Sequence, residues 1–136
     1  MKIEGACHCG KIRYEAEIDP ATVGICHCTD CQVLSGSAFR TVVPAPRAGF
    51  RLLSGQPKIY VKTADSGSKR TQAFCADCGT PIYSSPVSAD FPAYSLRVGP
   101  IRQRAQLRPK VEYFRKSALD WNPGLAGTKC FDAMPT

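Results

Sequence analysis

The sequence predicts a mainly β fold in which cysteine knuckles hold distant strands together. About eight or nine short extended stretches recur at roughly 8–12-residue spacing, and no stretch has the periodicity of a long helix. Glycine and proline number 11 each among the 136 residues, which is typical of a chain with many turns. Seven of the eight cysteines fall in three short clusters. A chain of this length is expected to form one domain.

The clearest strand covers residues 11–18, where apolar side chains alternate with charged ones. Ile12, Tyr14, Ala16 and Ile18 are expected to face the core. Residues 26–35 are predicted to form a knuckle followed by a short helical turn, which Gly36 ends.

The other predicted strands cover residues 39–43, 50–53, 58–62, 69–74, 81–84, 94–98 and 111–115. Pro44 and Pro46 are expected to stop the first of these, because proline lacks the N–H that a sheet needs. A polar turn at residues 64–68 is predicted to join two neighbouring strands. Residues 122–136 are expected to form an irregular C-terminal tail.

The formal net charge is +7, and much of the excess lies late in the chain. A mild positive field suits an anionic small molecule and, less well, nucleic acid, while a solvated basic face without a ligand is an equally good interpretation. Arg97 and Tyr94 are candidates for recognising carboxylates. The sequence predicts no oligomeric state.

The N-terminus has no apolar segment of the kind that directs secretion, and no apolar run reaches about 18 residues. We therefore expect a cytoplasmic protein that does not enter a membrane. In a reducing compartment the eight cysteines are expected to be metal ligands or reactive thiols rather than disulfides.

Cys75 and Cys78 have the separation that lets both sulfurs turn toward one metal ion. Gly79 follows them and permits the positive φ that such a turn often needs. Cys7 and Cys9 can supply two more ligands, because alternate residues of an extended segment project to the same side. We therefore predict a closed structural zinc site on these four cysteines. The alternative for the second pair is a redox dithiol, although a proline rather than a helix pattern follows it.

The densest cluster is formed by Cys26, Cys28 and Cys31. The first two are alternate residues and the third follows by about one helical turn, so the three thiols can meet on one face. A zinc ion with three protein ligands keeps a position for water or substrate, as catalytic sites do. Such an ion can bind a substrate thiol and hold it as the thiolate at neutral pH.

Two other interpretations of this trio stay open. Cys130 could be a fourth ligand, which would make both sites structural. Alternatively, the trio could be metal-free reactive thiols that are prone to oxidation.

The two histidines, His8 and His27, each lie between two cysteines, so their side chains should point away from the metal. We expect them to be supporting or surface residues. The functional alternative is a proton shuttle at the open site, for which His27 is preferred over His8. Trp121 is expected to pack rather than to bind a substrate.

In combination, the three clusters resemble the motifs of the glutathione-dependent formaldehyde-activating enzyme (GFA) family, also called the centromere-protein-V family. The matching segments are GACHCGKIRY at residues 5–14, CHCTDC at 26–31 with SGSAF at 35–39, and FCADCGTPIY at 74–83. The resemblance covers residue 3 to about residue 121, so we assign residues 1–121 to a GFA-like zinc-binding domain and residues 122–136 to its tail.

The resemblance implies a β-tent fold of packed antiparallel sheets and two zinc ions per chain. It places a structural zinc on Cys7, Cys9, Cys75 and Cys78, and a second zinc on Cys26, Cys28 and Cys31. It also implies a carbon–sulfur lyase that reversibly joins glutathione and formaldehyde to S-hydroxymethylglutathione. The alternative is a non-catalytic zinc-binding module that presents a basic surface to protein or nucleic acid.

Overall fold

The computed structural model describes residues 1–135, which contain eleven β-strands and one α-helix. The strands are β1 (Lys2–Ala6), β2 (Arg13–Glu17), β3 (Gly24–Cys26), β4 (Arg40–Pro46), β5 (Arg51–Ser54), β6 (Lys58–Thr63), β7 (Lys69–Phe74), β8 (Pro81–Pro86), β9 (Ala93–Arg97), β10 (Val111–Tyr113) and β11 (Lys129–Cys130). The helix α1 covers Thr29–Ser35. The mainly β fold predicted from the sequence is confirmed.

The strands form two sheets. β1, β2 and β5 make a three-stranded antiparallel sheet with β2 in the middle. The other strands form an eight-stranded sheet in the order β11-β10-β3-β4-β9-β8-β7-β6. Neighbouring strands are antiparallel along the run β3-β4-β9-β8-β7-β6 of this sheet. In contrast, β10 runs parallel to both of its neighbours, β3 and β11. The larger sheet is therefore mixed, and its parallel edge departs from the expected antiparallel pattern.

The hydrophobic core lies between the two sheets. Tyr14 and Ala16 of β2 pack in one cluster with Val43 of β4 and Leu96 of β9. The alternation predicted for this region is confirmed, because all four of its apolar residues are buried: Ile12, Tyr14, Ala16 and Ile18. The ring of Tyr14 needs the space left by Gly5, since a Cβ there would lie 2.0 Å from Tyr14 Cζ.

The prediction that proline stops the fourth strand was wrong, because β4 continues through Pro44 and Pro46. Val98 N–H donates to Thr41 O, so the odd-numbered residues of β4 bond to β9 and the even-numbered ones face the opposite side. On that side β3 pairs with β4 only as far as Val42. Both prolines therefore face an unpaired edge, where a missing N–H costs no ladder hydrogen bond.

The predicted helical turn is present as α1, and the predicted stop is confirmed. Gly36 ends the helix in the left-handed conformation (φ 66°), and its N–H donates to Gln32 O and Val33 O. Within residues 1–135, no helix has the length and apolar character needed to cross a membrane.

Three strands were not predicted, namely β1, β3 and β11. The last lies in the segment expected to be an irregular tail, where Cys130 pairs with Glu112 of β10. Trp121 was expected to pack, but its side chain is 71% exposed. The segment after residue 121 is thus tied to the larger sheet by a short strand rather than by its aromatic residue.

Candidate metal centres

Four thiols meet where the loop after β1 approaches the turn between β7 and β8. This closed cluster consists of Cys7, Cys9, Cys75 and Cys78, whose sulfur atoms all lie within 4.8 Å of one another. The Sγ atoms of Cys7 and Cys9 are 3.6 Å apart, and those of Cys9 and Cys75 are 3.7 Å apart. Four sulfurs around one tetrahedral zinc at about 2.3 Å would be separated by about 3.8 Å. The four thiols therefore fit one zinc ion.

Each half of the closed cluster is a tight turn that glycine makes possible. Gly10 N–H donates to Cys7 O at 3.0 Å, and Gly79 N–H donates to Cys75 O at 2.8 Å. Both glycines have positive φ, 84° and 78°, a conformation that few other residues adopt at low cost. Thr80 joins the two halves, because its hydroxyl accepts from His8 N–H at 3.0 Å and lies 3.2 Å from the sulfur of Cys78.

The surroundings of the closed cluster favour thiolates at some positions and oppose them at another. The Thr80 hydroxyl, with backbone N–H groups, lowers the pKa of Cys78 to about 5. Lys11 N–H stabilises the Cys9 thiolate, but desolvation and the neighbouring thiols outweigh it and raise the pKa of Cys9 to about 12. The full set of four thiolates therefore needs a cation to offset their mutual repulsion.

Three further thiols meet at the start of α1. This open cluster consists of Cys26, Cys28 and Cys31, and its sulfur atoms also lie within 4.8 Å of one another. Cys26 ends β3, while Cys28 is the N-cap of α1 and its sulfur accepts from Cys31 N–H at 3.3 Å. The helix end therefore turns the second and third thiols toward the first, as the spacing predicted.

The thiols of the open cluster differ sharply in acidity. Hydrogen bonds from Cys26 and Cys28, together with the Arg40 guanidinium, lower the pKa of Cys31 to about 2. Hydrogen bonds with Cys28 and Cys31, together with burial, raise the pKa of Cys26 above its ordinary value. One thiolate thus forms readily at Cys31, and a metal ion would draw the other two into ionised form.

Cys130 does not join the open cluster. Its sulfur is exposed and lies 3.8 Å from Glu112 Oε2 and 3.8 Å from Thr128 Oγ1. β11 pairs with the side of β10 opposite to β3, so a whole strand separates Cys130 from Cys26. The interpretation in which Cys130 completes a second closed site has no geometric support. None of the eight cysteines, all within the described chain, forms a disulfide.

The two histidines differ in solvent exposure: His8 is exposed, whereas His27, the preferred candidate for a proton shuttle, is buried. His27 is completely buried, and its Nε2 lies 2.7 Å from Glu112 Oε1. His8 is exposed and lines a cleft. Burial against Glu112 keeps the His27 side chain from solvent, which fits the expected supporting role better than the proton-shuttle alternative.

Glu112 is a supporting residue that sequence reasoning did not identify. It is completely buried, and it accepts hydrogen bonds from Leu125 N–H at 3.0 Å and from the Thr128 hydroxyl at 2.5 Å. Arg115 Nη1 lies 3.5 Å from the same carboxylate. Although burial opposes its ionisation, the hydrogen bonds from Thr128 and His27 hold the pKa of Glu112 below its ordinary value. The only signal in the sequence was an acidic residue inside a short apolar strand.

A cleft of about 600 Å³ is lined by residues from the segments that flank both clusters. His8 and Thr80 form the wall beside the closed cluster, and Ser35 and Phe39 form the wall beside the open cluster. The size falls within the usual range for small-molecule sites. A ligand in this cleft would lie next to residues that flank both groups of thiols.

Comparisons with known proteins agree with this architecture. The family described as glutathione-dependent formaldehyde-activating enzyme matches residues 2–117. A crystal structure of a Rhodobacter sphaeroides protein is similar in fold, with a TM-score of 0.58 and 20% identity over 73% of this chain and 87% of that one. The comparison with curated proteins found no match. Because the family match spans most of the sequence, the chain belongs to the glutathione-dependent formaldehyde-activating enzyme family.

Proposed function

We propose that this chain is a zinc-dependent carbon–sulfur lyase that reversibly joins glutathione and formaldehyde to S-hydroxymethylglutathione. It would hold two zinc ions, one in the closed cluster and one in the open cluster. The glutathione supply and the reduced thiols would suit a reducing compartment such as the cytoplasm. The family match supports the substrate pair, and the open cluster beside the cleft supports the reaction type.

The observation that carries the proposal is the contrast between the two clusters. The closed cluster has four thiols within ligand distance of one another, which is a complete tetrahedral set. The open cluster has three, and Cys130 lies elsewhere. A zinc ion bound there would supply a vacant position for a substrate thiol and would lower the pKa of that thiol.

The reaction forms one carbon–sulfur bond. The substrate sulfur supplies an electron pair to the carbonyl carbon of formaldehyde, the C=O π bond opens to the oxygen, and that oxygen takes one proton. The reverse reaction removes the proton, restores C=O and releases the thiolate. We assign this proton exchange to His8, because His8 lines the cleft whereas His27 is completely buried against Glu112.

Exchange NMR tests the proposal. Protein loaded with two zinc ions is mixed with formaldehyde and glutathione, and the interconversion of free and adduct signals is measured. We expect acceleration by the native chain and by Cys130→Ser, whose thiol lies outside both clusters. Cys28→Ser, which removes one thiol of the open cluster, should abolish it. Absence of acceleration with both zinc ions bound would refute the lyase assignment.

A further inference from the structure

Three arginines project from one face of the larger sheet beside the open cluster. Arg40 lies on β4, Arg70 on β7 and Arg97 on β9. Val43 and Leu96 point into the core, so by strand alternation the arginines project from the opposite face. Arg40 and Arg97 are only 7% and 5% exposed, and Arg70 is half-buried.

Their hydrogen-bond partners on the protein are sparse and neutral. Arg97 Nη2 donates to Gln72 Oε1 at 2.8 Å, and its Nη1 donates to Ser95 O and Ser95 Oγ at the longer distance of 3.4 Å. Arg70 Nη2 donates to Ser84 Oγ at 3.1 Å. The buried Nε of Arg40 has no partner. None of the ion pairs formed within residues 1–135 involves any of the three guanidinium groups.

The open cluster offsets only part of this positive charge. The Arg40 guanidinium lies near enough to the Cys31 thiol to help lower its pKa, and the thiols of Cys26 and Cys31 raise the pKa of Arg97. Three thiolates around one divalent ion carry a single net negative charge. The three guanidinium groups therefore leave about two positive charges unbalanced in a buried setting, which is unfavourable without a further anion.

The pKa of Arg97 reflects the same imbalance. Burial, together with the positive charge of Arg40, lowers this pKa to about 9. An anion placed against the guanidinium groups would offset the cost of keeping these positive charges buried near one another. The protein would therefore bind that anion more tightly.

The cleft gives a small anion access to these arginines. Arg40 and Arg97 both line it, as does Arg104. None of the twelve lining residues is acidic, so nothing in the cleft wall repels a carboxylate. Ser35, the last residue of α1, and Phe39 also line the cleft, so the cleft extends from the arginines to the helix that carries the open cluster.

We infer that Arg40 and Arg97 bind a carboxylate of the substrate while its thiol occupies the vacant position of the open cluster. Arg70 reinforces the positive charge from β7. The substrate class is therefore thiols that carry a carboxylate, of which glutathione is one. The inference rests on the proposed function only in placing a thiol at that cluster, and it does not depend on formaldehyde as the second substrate.

Calorimetric titration of the zinc-loaded protein with two thiols of equal length tests the inference. 3-Mercaptopropionate has a carboxylate where 3-mercapto-1-propanol has a hydroxyl. The native chain should bind the acid about 10- to 100-fold more tightly, the effect expected for a hydrogen bond to a charged group. Arg97→Gln should remove most of this preference. Arg13→Gln, at an exposed position on β2, should leave it unchanged.

Equal binding of the two thiols by the native chain would overturn the inference. So would a preference that survives in both Arg97→Gln and Arg40→Gln, because another residue would then hold the carboxylate. Zinc content and circular dichroism check that each variant folds. If Arg97→Gln does not fold, Arg97→Lys replaces it and should keep the preference in weakened form; an undiminished preference there counts against the inference.

These outcomes separate the two proposals. A protein that prefers the acid but does not accelerate exchange retains the carboxylate site and loses the formaldehyde assignment. A protein that accelerates exchange but binds acid and alcohol equally retains the lyase assignment and loses the carboxylate site.

Discussion

Glu112 Oε1 lies 2.7 Å from His27 Nε2, and both side chains are completely buried. His27 is the residue between two thiols of the open cluster, and the carboxylate also binds Leu125 N–H and the Thr128 hydroxyl. One acidic side chain therefore joins the open cluster to the C-terminal segment. The buried pair fixes the backbone from which Cys26 and Cys28 extend.

We expect Glu112→Gln to lower the free energy of unfolding by about 3 kcal/mol, because an amide cannot replace the charge that faces His27 and Arg115. Urea denaturation of the zinc-loaded protein measures this. Glu4→Gln is the matched control, since Glu4 pairs with Arg102 at the surface and should cost less than about 1 kcal/mol. Equal losses in the two variants would contradict a special role for Glu112.

The parts of the site that could be predicted are those encoded by residues close together in the sequence. The spacing of Cys75 and Cys78 and the glycine after them favour a metal knuckle, and Gly36 signals a helix end, so both are visible in short stretches of sequence. Glu112 and His27 are 85 residues apart, and nothing near either residue indicates the other. The chain order alone cannot show that β10 joins the sheet next to β3.

The prolines of β4 show the same limit in the fold. Proline normally interrupts a central strand, so Pro44 and Pro46 predict a stop. Whether that rule applies depends on where the neighbouring strand ends, and β3 ends beside Val42. The same dependence on distant strands concealed the partnership of Arg97, a candidate from the sequence, with Arg40. The two residues lie on adjacent strands because β4 pairs with β9.

With a zinc ion proposed in each cluster, chelation should remove the two ions in separate steps. The open cluster has three thiols and the closed cluster four, so the open cluster should lose its metal first and without unfolding. Loss from the closed cluster should unfold the chain, because it connects the loop after β1 to the β7–β8 turn. Zinc release and circular dichroism are followed together. A single phase in which both ions leave as the fold is lost would contradict this.

Cys130→Ser should leave the zinc content at two ions per chain, because the Cys130 sulfur contacts Glu112 and Thr128 rather than the open cluster. Metal analysis of the purified variant measures this. Cys31→Ser, at a buried thiol of the open cluster, is the comparison and should lose about one ion. Loss of a zinc ion in Cys130→Ser would mean that the C-terminal segment supplies a fourth ligand.

Gly5→Ala should destabilise the fold by about 2–3 kcal/mol, because the added Cβ would lie 2.0 Å from Tyr14 Cζ in the packed core. Thermal denaturation measures the change. Gly99→Ala is the control, since an added Cβ there meets no atom within 4 Å. It should change stability by less than about 1 kcal/mol. A neutral Gly5→Ala would show that Tyr14 can move without cost.

Thr80→Val should make the closed cluster release zinc at higher pH. The Thr80 hydroxyl is the main group that lowers the pKa of Cys78 to about 5, and its loss should raise that pKa toward the ordinary value. Protons compete with zinc for the thiolate, so a thiol of higher pKa loses its metal at a less acidic pH. A hydrogen bond of about 1 kcal/mol corresponds to a shift of roughly 0.7 pH units.

The shift is measured by titrating zinc release from pH 7 downward in native and variant protein. Thr63→Val, at an exposed position on β6, should release zinc at the native pH and thus controls for the change from threonine to valine. The hydroxyl also accepts from His8 N–H, so its loss weakens the link between the two halves of the cluster in the same direction. An unchanged midpoint in Thr80→Val would show that the metal alone sets the ionisation of Cys78.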